Sequence, residues 1–157
     1  AVSDFESDYK NLLDLSSSSL RSEEALSHFI ERKGGDPHLV HQLKTSLTAP
    51  LPDDFSVPTT PNAKEILETI ASKHTLALVT GGFPPLQKQK LKKAGIEPSL
   101  FSNILIPEDC IKRPSYEALR KQFLSVPTMV CGDRVKVDLL PGHELGFTTV
   151  HMKWGRG

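Results

Sequence analysis

The chain has 157 residues, 38% hydrophobic and 24% charged, which fits one packed domain, or a core with a small appended subdomain, and argues against disorder. Lys and Arg together number 19, as do Asp and Glu, so the formal net charge is zero and no basic excess exists to attract nucleic acid or an anionic membrane. The two cysteines, Cys110 and Cys131, lie in apolar contexts outside any metal-ligand spacing; a disulfide scaffold needs more, and both are expected to be buried in a reducing compartment.

Residues 5 to 48 read as helices. In FESDYKNLLDL, Phe5, Tyr9, Leu12 and Leu13 recur at helical spacing, and Ser16 to Ser19 form a polar break. Ser22 is placed as the N-cap of EEALSHFIERK, with Leu26, Phe29 and Ile30 on one face and Gly34-Gly35 as the stop. Asp36 and Pro37 open a third helix carrying Leu39, Val40, Leu43 and Leu47. With no strand pattern here, residues 1–50 are expected to form a small all-α unit.

APLPDDFSVPTTP, residues 49–61, holds four prolines and reads as an extended linker. Beyond it helices and strands alternate. NAKEILETIASK (62–73) is amphipathic through Ile66, Leu67 and Ile70, and TLALV (75–79) is the continuous apolar run of a strand covered on both faces. Gly81-Gly82 turns into a helix from Pro84 to Ala94, ended by Gly95. FSNILI (101–106) is a second strand, SYEALRKQFL (115–124) a helix, and TMVC (128–131) a third strand. LLPGHELG (139–146) is a short helix and FTTVHM (147–152) a fourth strand. The predicted class is α/β: a parallel sheet with crossover helices over residues 62–157.

In open parallel sheets, ligands bind beyond the carboxyl ends of the strands. Three such ends carry polar groups. Thr80-Gly81-Gly82 offers a hydroxyl, then glycines whose backbone N–H groups can approach an anion near a helix start; the same tripeptide is also a common way to leave a strand. Lys112-Arg113-Pro114 brings cations that can neutralise phosphate or hold a carboxylate ionised, or form an ordinary solvated pair. Gly132-Asp133, with Asp138 five residues on, suits a hard cation such as Mg²⁺, although Asp138 alone reads as a helix cap.

Taken in that order, Thr, then Lys or Arg, then Gly-Asp…Asp resembles motifs II, III and IV of the haloacid dehalogenase-like (HAD) superfamily of phosphohydrolases. The ending GDRVKVDLLPGHELGFTTVHMKWGRG is similar to that family's last segment, and the resemblance covers residues 62–157, about three-fifths of the chain. It implies a Rossmann-like core, with the N-terminal helical segment in the place of the family's cap. It further implies that Thr80 and Gly81, with Gly82 beside them, bind the phosphoryl group, that Lys112 or Arg113 is the motif III cation, and that Asp133 and Asp138 form the Mg²⁺ site. The family has Lys directly before Pro, where this chain has Arg113 preceded by Lys112, so both are candidates.

The family's first motif, DxDx(T/V) after an apolar strand, supplies the nucleophile and the general acid–base group. No such strand is read here: Asp4, Glu6 and Asp8 follow only Ala1 and Val2 and read as a helix face. In the family that strand lies between those carrying motifs II and IV, so its absence implies a gap and unpaired edges in the sheet. The chain opens on Ala1 and breaks off at Gly157, so a longer native protein is expected. The implied activity is Mg²⁺-dependent hydrolysis of a small phosphorylated metabolite through an aspartyl-phosphate, the helical segment selecting the substrate. The alternative is a non-catalytic relative that keeps the phosphate and metal pocket without a nucleophile. No apolar run approaches the ~20 residues that span a bilayer and no signal peptide is read, so a cytoplasmic location is the expectation. His38 and His41 beside Asp36 are read as flanking a helix cap before a metal pair, and Lys88–Gly95 as a solvated face.

Overall fold

The N-terminal apolar repeats become three helices, α1 (Val2–Ser18), α2 (Ser22–Arg32) and α3 (His38–Thr48). The computed structural model describes residues 2–19 and 21–154. The serine run does not break α1. Ser17 Oγ donates to the Asp14 carbonyl at 2.9 Å and Ser18 Oγ to the same oxygen at 3.1 Å, so the hydroxyls bond back into the preceding turn and the helix runs on to Ser18. Ser22 is the first residue of α2 and not its cap. Arg21 holds the extended cap position, its backbone N–H donating to the Glu24 carboxylate at 3.2 Å. Asp36 opens α3 as expected: its Oδ1 accepts from the His38 N–H at 2.9 Å.

Leu15, Ala25 and Ile30 are buried where α1 meets α2 and α2 meets α3. The periodic residues are not all inward. Phe5, Tyr9 and Leu13 on α1, and Leu39, Leu43 and Leu47 on α3, stay exposed at four-residue spacing.

After the extended segment come α4 (Ala63–Ala71), β1 (Leu76–Val79), α5 (Pro84–Lys93) and β2 (Phe101–Leu105). Then follow α6 (Arg113–Gln122), β3 (Met129–Gly132), a wide helical turn at Val135–Leu139, α7 (Leu140–Glu144) and β4 (Thr148–His151). The alternation is the one the sequence predicts, and every strand pair is parallel. β1 pairs with β2, Val79 opposite Leu105, and β3 pairs with β4, Cys131 opposite Val150. These are two separate two-stranded sheets, where continuous alternation alone predicts one. Among the described residues no strand joins β1 to β3, and without a shared neighbour no ladder can run between them. β1 is correspondingly less covered than its apolar run suggests, with Ala77 exposed.

The chain divides into two compact units, Ala49–Ser115 and Ala1–Thr48 with Tyr116–Gly157. In the first, Leu86 of α5 and Ala94, which caps its end, are buried. In the second, Tyr116, Leu119, Leu139 and Phe147 are buried around Asp138, with the Tyr116 and Phe147 rings edge to face at 6.2 Å. Cys110 is half-buried and Cys131 exposed, neither in a disulfide, so the expectation of two buried cysteines is not met. Cys131 faces outward because β3 carries the exposed side of a sheet too small to be covered on both faces.

Candidate functional site

In the unit of residues 49–115, Thr80 stands immediately after β1 and Gly82 adopts φ 125°, a backbone open to glycine. The chain then enters α5 with Pro84 as its first residue, a position where the missing proline N–H costs nothing. The loop after β2 is stitched to this turn by backbone bonds. Thr80 N–H donates to the Leu105 carbonyl and Gly82 N–H to the Pro107 carbonyl, both at 3.1 Å, and Cys110 N–H also donates to Pro107 at 3.1 Å. Cys110 takes φ 62°, rare for a residue with a side chain, and Ile111 N–H donates to Asp109 Oδ1 at 2.9 Å.

The contact leaves no room at Gly81. A β-carbon there would lie 2.9 Å from Cys110 Cα, Cβ and Sγ. Glycine thus lets the second loop close onto the first, and two residues beyond Cys110 that loop presents Lys112, half-buried, and Arg113, exposed as the first residue of α6. The structure therefore brings the stretches bearing Thr80, Gly81, Gly82, Lys112 and Arg113 into one assembly of two loops. A hydroxyl and a cationic segment are donor chemistry that suits an oxyanion, while the Thr80 and Gly82 N–H groups are taken by the second loop's carbonyls.

In the other unit, Asp133 follows β3 and is half-buried, its carbonyl accepting from His151 Nε2 at 3.2 Å. Asp138 is 5% exposed. Its backbone N–H donates to the Arg134 carbonyl at 2.8 Å, while its Oδ2 accepts the Arg134 N–H at 3.0 Å. Arg134 also donates through its guanidinium to the Ser19 carbonyl. Asp138 presses on Gly132, where a β-carbon would stand 2.4 Å from Asp138 Cβ and 2.7 Å from its Oδ2. The Tyr116 phenol is pushed well above its ordinary range, first by burial and then by the negative charge of Asp138. Asp138 is thus more than a cap: it is a buried carboxylate held by its own loop. Among the described residues no three His, Cys, Asp or Glu side chains converge as a metal cage. Mg²⁺ commonly takes one or two protein carboxylates, with water and phosphate oxygens completing its shell, and Asp133 and Asp138 are the two carboxylates this loop carries.

Sequence reasoning missed two neighbours of these residues. Cys110 fits against Gly81, and Gln87 sits over Gly82 with its Oε1 3.4 Å from Thr80 Oγ1. The one signal for Gln87 was its place in the first turn of the helix after the glycines. His38 and His41, weighed as a metal pair, stay at the exposed start of α3 where Asp36 caps.

No protein-family model matches the chain. Its similarity is to a phosphatase, over most of its length. The relative is the glyceraldehyde 3-phosphate phosphatase of Methanocaldococcus jannaschii, 30% identical over 122 residues that make up 74% of this chain and 50% of that protein. The chain thus spans about half the length of the curated relative it matches. No helix among the described residues is long and apolar enough to cross a membrane.

Proposed function

We propose that the chain forms part of a HAD-like, Mg²⁺-dependent phosphohydrolase acting on a small phosphorylated metabolite. The observation that carries the reaction class is the 122-residue similarity to a protein named as a phosphatase. The stitched loops around Thr80 support the assignment of the phosphate seat. In this reading the Thr80 hydroxyl and the Gly81 N–H donate to phosphoryl oxygens, with Gly82 keeping the approach open. Lys112 supplies the neighbouring positive charge, its half-burial favouring it over the exposed Arg113.

Asp133 and Asp138 would hold Mg²⁺, which when bound offsets phosphate charge. Asp138 suits a supporting role because its carboxylate is buried and oriented by the Arg134 N–H. The reaction also needs a nucleophilic carboxylate, a role given to none of the residues assigned above. Its oxygen attacks phosphorus as the bond to the substrate oxygen breaks and that oxygen takes a proton; water then cleaves the acyl-phosphate, releasing phosphate and regenerating the carboxylate. The helical segment, residues 1–50, acts as the cap that excludes water and selects the substrate. The relative's name makes glyceraldehyde 3-phosphate the first compound to try.

The full-length protein should release phosphate from p-nitrophenyl phosphate and from glyceraldehyde 3-phosphate only when Mg²⁺ is present. Asp133→Ala should abolish both activities. Equal rates in EDTA would sink the proposal, and phosphate binding without any turnover would favour a non-catalytic binding module.

A further inference from the structure

The Thr80–Gly82 turn is overlaid by one side chain that the assigned roles do not include. Gln87 is the fourth residue of α5, half-buried, with its backbone N–H donating to the Phe83 carbonyl at 3.1 Å. Its side chain reaches back over the turn. Oε1 lies 3.4 Å from Thr80 Oγ1, and Nε2 lies 2.9 Å from where a Gly82 β-carbon would stand. A larger residue at 82 would push the amide off the turn, which gives that glycine a second reason besides its φ of 125°.

The chemistry of the pair is asymmetric. A threonine hydroxyl has one hydrogen to give, and a fully ionised phosphoryl oxygen can only accept. When that hydrogen goes to the anion, Oγ1 is left with lone pairs and no donor. A glutamine amide carries both an acceptor and donors on one rotatable group, so it can answer either state of the hydroxyl. We propose that Gln87 is the positioning residue of the Thr80 anion seat: its Oε1 accepts the hydroxyl hydrogen when no anion is present, and the amide turns to donate an N–H to Oγ1 when the hydroxyl donates to a phosphoryl oxygen. The N–H donated to Oγ1 polarises the hydroxyl and strengthens its bond to the anion. This rests on the reading of Thr80–Gly82 as the phosphate seat.

Thr80 and Gln87 line, with Lys90, Leu78 and Leu91, one open depression of about 310 Å³. Glutamate at 87 could accept but not donate, and would repel the anion. Methionine would fill the same length without either capacity, and neither change harms helix propensity.

The test is titration of the protein with inorganic phosphate, followed by calorimetry and by the side-chain amide signal of Gln87 in proton–nitrogen NMR spectra. The Gln87 amide signal should shift on titration. Gln87→Met should weaken phosphate binding about fivefold, the weight of one neutral hydrogen bond, and Gln87→Glu should weaken it further. In a Thr80→Val background, Gln87→Met should change the affinity by less than about twofold, because its partner is gone. Unchanged binding in Gln87→Met, or the same fivefold loss without the Thr80 hydroxyl, would overturn the inference while leaving the phosphate seat standing. A wild-type protein that binds no phosphate would overturn both.

Discussion

The turn after β1 and the turn after β3 use the same steric device to different ends. Each holds a glycine into which a neighbour presses, Cys110 against Gly81 and Asp138 against Gly132. At Gly81 the intruder belongs to another loop, the one that carries Lys112 and Arg113, and the turn it closes onto carries the Thr80 hydroxyl. At Gly132 the intruder is a carboxylate from the same loop, folded back by the Arg134 N–H. One turn becomes rich in donors and the other in acceptors. A glycine at a strand end therefore says only that something comes close; what comes close decides the chemistry.

Filling each glycine breaks the comparison at its steric root. Gly132→Ala should have the largest effect, about 3 kcal/mol of lost stability in urea denaturation, because the β-carbon would lie 2.4 Å from Asp138 Cβ with no room to yield. Gly81→Ala should lose about 2 kcal/mol, and the double variant Gly81→Ala/Cys110→Gly should recover part of it. Glycine at 110 removes the Cβ and Sγ contacts and is at ease at the φ of 62° that cysteine now holds. Equal losses in single and double variants would show that the Cys110 side chain is not what limits the space at residue 81.

The acceptor turn has a titration signature that the donor turn lacks. Tyr116 is raised first by burial and then by Asp138, so the folded protein keeps its phenolic proton at a pH where the unfolded chain releases it. Stability is therefore unaffected below about pH 10 and falls as pH rises above it, by up to about 1.4 kcal/mol per unit from this group. Asp138→Asn should bring the Tyr116 titration, followed by tyrosinate absorbance, only part of the way back, since burial is the larger cause and remains. A complete return to the ordinary range would reverse that order.

Helix and strand positions were readable because periodicity is local: α5 runs from Pro84 to the glycine stop, and β2 fills its apolar run. Serine composition misled at Ser16–Ser18, where Ser17 and Ser18 bond back to the previous turn and α1 continues to Ser18. Sheet pairing was less readable, because apolar runs give strands without naming their neighbours, and β1 and β3 each take one partner. The same holds for Leu39, Leu43 and Leu47, a clear stripe that the described fold leaves exposed. The sequence picks out Thr80, Lys112, Asp133 and Asp138 as candidates by residue type and by their places after predicted strands. It does not pick out Gln87 and Cys110, since their contacts depend on the unusual backbone at Gly82 and at Cys110 itself.

The proposed function needs phosphate at the turn after β1 and Mg²⁺ at the turn after β3 to act in one reaction, and coupling between the two ligands tests that proposal most directly. Calorimetric titration of inorganic phosphate with and without Mg²⁺ should show Mg²⁺ tightening phosphate about tenfold, and phosphate tightening Mg²⁺ by the same factor. Asp133→Ala should erase that gain, whereas Thr80→Val should weaken phosphate under both conditions. Phosphate affinity indifferent to Mg²⁺ and to residue 133 would contradict the account.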